Sequence, residues 1–505
     1  MPSDRVNEYL KSVCAEVRWR QAHDAVREEL AAHIEDQTEA YMRSGMERET
    51  AERKAVESMG SPAETGLRLD ASYRPKPQWG PVIMLTALLM ISAACRFMEY
   101  GNGGSSLGKF IIAACIGCGL FVWLYNADLY RLAGLSWQAY IAVIALCLAA
   151  LPLCYSRGPS EMIVLQTAAI TIPALFAGWL YVCRGFGGLL TGGAMLVIPI
   201  AGMLMAPYTG AAVNVAAACL AVIVFASVWG LCGKSRWLPI ALSWGGVLCG
   251  GYGLLRSNAH WWQRVAVMLR PEAFPEDYSY QIRVIRDMLR ASRPIGRGQD
   301  TEMMRYSMLF KRDGSIDREA YVDFMLTTIA HRYGWVIALI IAAVLIGLIA
   351  MLFFKALKLT SLFGKMMGCG ICASLLMQTV QYILGNCGIT VISWLPLPFL
   401  SYGNTSLVVN MAMMGLLCSL MRSDGLYADK EAKPLNKLRL RLEWENKLRD
   451  CCCSPLIIAY LFGKAHDEIH QHIGYLIQAP CGYPFPHAVV VVAAGGQVGA
   501  GQPFP

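Results

Sequence analysis

The chain has 505 residues, of which 55% are hydrophobic and 16% charged, with a mean hydropathy of +0.41. Soluble domains carry about 25% charged residues, so a soluble enzyme is excluded and a polytopic membrane protein is indicated. The net charge of +8 is modest and gives no footprint for nucleic-acid binding. The 18 cysteines are mostly scattered through apolar segments, where Cys acts as a small hydrophobe. No disulfide framework and no metal site is expected, because neither "CCC" at 451–453 nor His466, His470 and His472 has ligand spacing.

In chain order, the opening "MPSDRVNEYLKSVCAEVRWR" lacks the apolar stretch of a cleavable signal peptide. Residues 5–70 read as a small helical module. Its helices are "VNEYLKSVCAEV", "HDAVREELAAHIEDQTEAYMRSG" stopping at Gly45, and "MERETAERKAVESMGSPAE" breaking at Gly60-Ser61-Pro62. Leu10, Val13, Leu30, Ile34 and Val56 are its expected core. Ten apolar stretches then follow, each near the ~20 residues a spanning helix needs: 81–98, 108–127, 137–154, 162–182, 189–206, 211–231, 236–255, 334–354, 364–385 and 397–420. One connection is long, 256–333.

With the N-terminus inside, the inner short loops hold Arg131, Arg184, Lys234, Arg236, Lys355, Lys358 and Lys365. The outer ones hold Lys109 and Arg157, so the bias of cations places both termini in the cytoplasm. The Arg-rich long loop then falls outside, as long loops can. The chain thus divides into a cytoplasmic helical domain (1–79), an all-α ten-helix membrane domain (80–421) and a cytoplasmic basic segment with a tail (422–505).

Two features of this membrane domain ask for a function. Within "YQIRVIRDMLRASRPIGRG", Arg283, Arg286, Arg290, Arg293 and Arg297 recur at three- and four-residue steps, opposite Ile282, Ile285, Met288 and Leu289. Such a helix is expected to lie on the membrane surface and to offer guanidiniums to phosphate oxygens, either of a substrate or of anionic lipid headgroups. The second feature is "LPLPFLSYGNTS" at 395–406. Irregular backbone at membrane depth must be buried in protein or line a polar cavity. Pro396 and Pro398 suit a helix entrance, and Ser401, Tyr402, Asn404 and Thr405 then face a cavity or satisfy loosened backbone.

"LPLPFLSYGNTSLVVN" resembles the "PLPFISYGGSSLxxN" signature of the SEDS family, the shape, elongation, division and sporulation proteins FtsW, RodA and SpoVE. Other family segments follow in order: "GPSEMIV" (158–164), "APYTGAAV" (206–213), "RVAVMLRPEAFPEDYSYQ" (264–281), "IGRG" (295–298) and "YVDFMLTTIAHRYG" (321–334). The N-terminal module resembles the permease-prefix domain, which implies an interaction or regulatory role without chemistry of its own.

The resemblance implies a peptidoglycan glycosyltransferase that polymerises lipid II at the outer membrane face, beside a class B penicillin-binding protein. Asp323 matches the family's catalytic aspartate. Glu161, Arg264, Tyr280, Gln281, Ser401, Tyr402 and Gly403 fall in substrate-binding motifs, with Arg286, Arg290, Arg293 and Arg297 added by the stripe. No resident cofactor is expected; the diphosphate leaves room for a divalent cation. The chain departs from the family at Val164, where the family has Lys, and at Tyr208, where it has Asp. His331-Arg332 replaces a Glu pair, and Asn404 replaces a Gly. These departures keep two other readings open: a flippase for a lipid-linked precursor, and a non-catalytic scaffold that recruits cell-wall synthases.

Overall fold

A computed structural model describes residues 3–74, 77–100, 105–127, 129–130, 133–157, 162–205, 208–233, 235–257, 259–274, 279–300, 324–390, 395–400 and 403–424. All of them belong to one compact unit, Met1–Leu435. Of the basic segment and tail expected at 422–505, residues 425–505 lie outside the described residues.

Four helices open the chain: α1 (Asp4–Glu16), α2 (His23–Arg43), α3 (Arg48–Ser58) and α4 (Pro62–Tyr73). The Ser3 hydroxyl caps α1 by accepting from the Val6 amide. Gly45 and Gly60 end α2 and α3 at φ +93° and +81°, a conformation that a side chain would strain. Val6, Leu10, Val13, Val26, Leu30 and Ile34 form a shared core. Val56 is half-buried, because the close approach of α3 leaves its tight positions to Ala51 and Ala55. Helix α4 was not expected. It starts on a proline at its first turn, and its Asp70 carboxylate accepts from the Arg18 amide at 2.9 Å.

Among the described residues, ten helices are long and apolar enough to cross a membrane. They are α5 (Trp79–Tyr100), α6 (Ser105–Asn126), α7 (Ser136–Arg157), α8 (Met162–Val182), α9 (Phe186–Met205), α10 (Thr209–Val228) and α11 (Trp237–Ser257), then α15 (Trp335–Leu357), α16 (Leu362–Asn386) and α17 (Asn404–Arg422). The long connection holds α12 (Ala259–Leu269), α13 (Tyr280–Ala291) and α14 (Met325–Tyr333). This is an all-α, multi-pass membrane fold, with no strand among the described residues.

Burial separates inner from outer spans. The apolar windows of α8, α10, α16 and α17 are 61–67% inside the protein, against 6% for α11. Lipid gives helices no hydrophobic reason to associate, so close packing at small residues brings them together. A Cβ at Gly415 of α17 would stand 2.7 Å from the Phe121 carbonyl oxygen of α6, and one at Gly117 of α6 would meet the Met411 sulfur at 2.6 Å. Gly370 of α16 meets the Pro173 carbonyl oxygen of α8 in the same way, at 2.7 Å.

The last span begins seven residues later than expected, at Asn404 instead of 397. Pro396 and Pro398 push the residues before them out of helical geometry and donate no hydrogen bond. Phe399 adopts φ +65°, an uncommon conformation for a residue with a side chain. Leu395, Leu397, Phe399 and Leu400 are all buried.

Candidate functional site at one end of the bundle

The N-terminal ends of α8, α10 and α17 and the C-terminal end of α16 share one side of the membrane, because successive spans alternate in direction. About one to three turns in from these ends lies a layer of buried amides and hydroxyls. Gln166 of α8 donates to the Ser406 hydroxyl of α17 at 2.8 Å. Gln378 of α16 and Asn410 of α17 exchange amide hydrogen bonds at 3.3 and 3.5 Å. Asn214 of α10 donates to the Ala169 carbonyl at 2.8 Å and to the Ser374 hydroxyl at 3.3 Å. Ser374 in turn donates to the Ile170 carbonyl at 3.0 Å. Gln381, with its amide turned, joins the Gly210 carbonyl and the Asn214 amide at 3.0 and 3.1 Å.

Asn214, Gln378 and Asn410 are each 0% exposed. The Asn214 Oδ1 has no protein partner among the described residues. Polar side chains inside a bundle are expensive and mark function when they face its interior. These residues join four spans at the level where the backbone turns irregular before α17, and together they make a polar floor.

Residues 395–400 and Gly403 lie at this same end, just before α17. Gly403 fits against Pro396; a Cβ there would lie 2.7 Å from the proline Cγ. Helices α13 and α14 also sit at this end. The first turn of α14 is fastened to α16: the Met325 amide donates to the Tyr382 hydroxyl at 3.1 Å. The Thr327 amide donates to Asn386 Oδ1 at 3.0 Å, and its hydroxyl donates to the Asn386 carbonyl at 2.8 Å. The chain just after residue 323 is thereby fixed to the end of α16.

Helix α13 is strongly amphipathic, as expected, but its apolar side is covered by protein and not by membrane. Ile282, Ile285 and Met288 are buried, and Ile285 packs beside Gly388, which caps α16 at φ +66°. Arg286 Nε donates to the Gly388 carbonyl at 3.0 Å, which ties part of the stripe to the bundle. Arg290, Arg293 and Arg297 are exposed.

Beyond α13 the chain runs beside the end of α14. The Trp335 amide donates to the Arg293 carbonyl, the Gly296 amide to Tyr333 and the Gly298 amide to His331, at 3.1, 3.0 and 2.7 Å. A side-chain clasp closes this run: Asp300 lies 2.9 Å from Arg297 and 3.3 Å from the buried His331 Nε2. Partial burial raises the Asp300 pKa, but the His331 hydrogen bond and the Arg297 charge outweigh it, and the net shift is downward.

Of the site residues expected from sequence, Asp323, Glu161, Ser401 and Tyr402 lie outside the described residues. Gly403 lies in the turn, and Tyr280, Gln281, Arg286, Arg290, Arg293 and Arg297 lie on or just after α13. Arg264 stands apart on α12, over the Trp261 ring at 5.6 Å. Among the described residues no three His, Cys, Asp or Glu side chains gather as metal ligands; α13 brings guanidiniums to this end. The polar floor was missed, although Ser374, Gln378 and Gln381 recur at steps of four and three, and Ser406 and Asn410 at four.

A ten-span all-α bundle with a buried polar layer at one end is a multi-pass membrane protein, and comparison with known proteins shows what it resembles. Residues 184–425 match the FtsW, RodA and SpoVE family of cell cycle proteins. The FtsW protein of Nitrosomonas europaea is 24% identical over 298 residues, covering 58% of this chain and 66% of that protein. The FtsW protein of Bacillus subtilis is 30% identical over 103 residues, 20% of this chain and 25% of that protein. A solved chain from a peptidoglycan synthase complex superposes with a TM-score of 0.54 at 19% identity, covering 70% of this chain and 99% of that one, and so shares the fold. Over residues 184–425 the chain is thus similar to the FtsW/RodA/SpoVE, or SEDS, family. The B. subtilis match spans a quarter of that relative's length.

Proposed function

We propose that this protein is a peptidoglycan glycosyltransferase that polymerises lipid II at the outer face of the cytoplasmic membrane. The observation that carries the reading is the buried polar floor across α8, α10, α16 and α17, at the end where α13 and α14 also sit. Similarity to relatives named as peptidoglycan glycosyltransferases, such as the MrdB protein of Escherichia coli at 29% identity over 160 residues, supports it.

In this reading Asp323 is the general base. It takes the proton of an acceptor sugar hydroxyl as that oxygen attacks the anomeric carbon, and the bond to the diphosphate breaks. Arg290 and Arg293, exposed beside α14, neutralise the departing lipid diphosphate. Glu161, Ser401 and Tyr402 line the sugar side. Both termini are cytoplasmic, the N-terminal helices form an interaction module, and the partner is a class B penicillin-binding protein that cross-links the product.

Labelled lipid II incubated with the purified protein and a candidate synthase tests the reading. Asp323→Asn keeps the shape and removes the proton acceptor, so glycan-chain synthesis is expected to fall by about 10²–10⁴-fold. Equal synthesis by both proteins removes Asp323 from catalysis. The apolar Val164 and the phenol of Tyr208, where relatives place a cation and an acid, favour the scaffold as the second reading. No synthesis by wild type beside an active synthase would select it.

A further inference from the structure

The Phe399 backbone is strained, and such a conformation persists only where its surroundings over-determine it. Those surroundings include a span that sequence motifs did not implicate. The Ser92 hydroxyl of α5 donates to the Leu400 carbonyl at 2.9 Å. One helical turn further along α5, Arg96 Nη1 donates to the Ser92 oxygen at 3.2 Å. The Arg96 guanidinium also lies over the Phe110 ring of α6, 4.0 Å from its centre. Ser92 is 0% exposed and Arg96 1%.

A charged side chain so deeply buried within a span is costly and is kept where it does a task. Here the guanidinium occupies an acceptor site of the Ser92 oxygen, whose O–H is directed at Leu400. The cation also polarises that O–H and strengthens its bond to the carbonyl. The aromatic face holds the cation in place without hydrogen bonds of its own.

We propose that Arg96 and Ser92 are positioning residues: through the Leu400 carbonyl they set the conformation of the 395–400 turn. The role assigned to that turn, as part of the lipid II site, rests on the function proposed above. Lysine reproduces the charge of Arg96 and one donor; methionine of similar length reproduces the packing over Phe110 and donates nothing.

Hydrogen–deuterium exchange of the full-length protein in detergent decides the proposal without reference to activity. Ser92→Ala and Arg96→Met are expected to speed exchange in peptides covering 395–407 by about 3- to 10-fold, the loss of one buried hydrogen bond. Exchange in α8 and α10 is expected to stay unchanged, and Arg96→Lys to restore most of the protection. Unchanged exchange at 395–407 in both variants overturns the proposal, and so does acceleration spread evenly over all spans, which reports general loosening. Chain synthesis from lipid II is read separately: it falls in Arg96→Met and recovers in Arg96→Lys if the turn shapes the site. Synthesis absent from wild type bears on the enzyme assignment alone.

Discussion

Replacing Gln378 or Asn410 by leucine breaks a reciprocal amide pair in the polar floor, and a double-mutant cycle measures its worth. Both side chains are fully buried, so Gln378→Leu strands the Asn410 amide, at a cost of about 1–3 kcal/mol, whereas Asn410→Leu leaves Gln378 its bonds to Ser374 and strands only the Gln378 carbonyl oxygen. The two bonds are long, at 3.3 and 3.5 Å, and interhelical hydrogen bonds in membrane proteins average about 0.6 kcal/mol with a maximum near 1.7. The coupling energy expected is therefore about 0.6 kcal/mol. The double variant Gln378→Leu/Asn410→Leu strands neither amide, so it should be less destabilised than the sum of its parents. Unfolding by sodium dodecyl sulfate in mixed micelles, followed by tryptophan fluorescence, supplies the free energies. Strict additivity would refute the pairing. The same cycle addresses function, because a floor that serves only stability would let the double variant keep its chain synthesis. A floor that meets substrate leaves the double variant inactive although its stability is partly regained.

Arg290→Gln with Arg293→Gln spares Arg286, which is tied to Gly388. The pair should weaken lipid II binding and flatten its salt dependence, since screened charge contacts are lost; unchanged affinity and salt slope would make the stripe structural. Residues 1–76, with a core of their own, should be soluble and helical by circular dichroism; a random-coil spectrum would remove the domain assignment. Because the Asp300 pKa is lowered, its clasp stabilises above the ordinary carboxylate range, near pH 3.9, and loses that contribution as pH falls through its own lower value. The thermal midpoint of wild type should exceed that of Asp300→Asn at pH 6, with the margin closing below about pH 4; a pH-independent margin would contradict the clasp.

The ten spans were legible because hydropathy over about twenty residues is a strong signal. The start of the last one was not, since Leu395 to Leu400 is apolar enough to pass for helix until its two prolines are weighed. Helix α4 escaped because Gly60-Ser61-Pro62 reads equally as a stop and as a start. Motifs located the 395–406 stretch, and five arginines at helical spacing located α13. They did not tell that α13 would rest on protein, because an amphipathic pattern does not say which apolar surface it covers. The floor was harder still. Asn214 stands alone in an apolar run, and although Gln378 and Asn410 have polar neighbours at helical steps, the partnership across helices exists only once the four are brought together. Arg96 was overlooked for the same reason, although an arginine so near the end of a span gave a signal that was available.

The glycine contacts between α6 and α17 have a mechanical consequence. At Gly117 and Gly415 these helices touch at distances that leave no room for even a methyl group, so neither can slide or roll without the other. They form a stiff keel, and the strained turn at Phe399 leads into its α17 end. Any opening of this end of the bundle leaves the keel still and falls on looser parts. Helices α13 and α14 are held by hydrogen bonds at the tip of α16, and α11 has almost no protein around it.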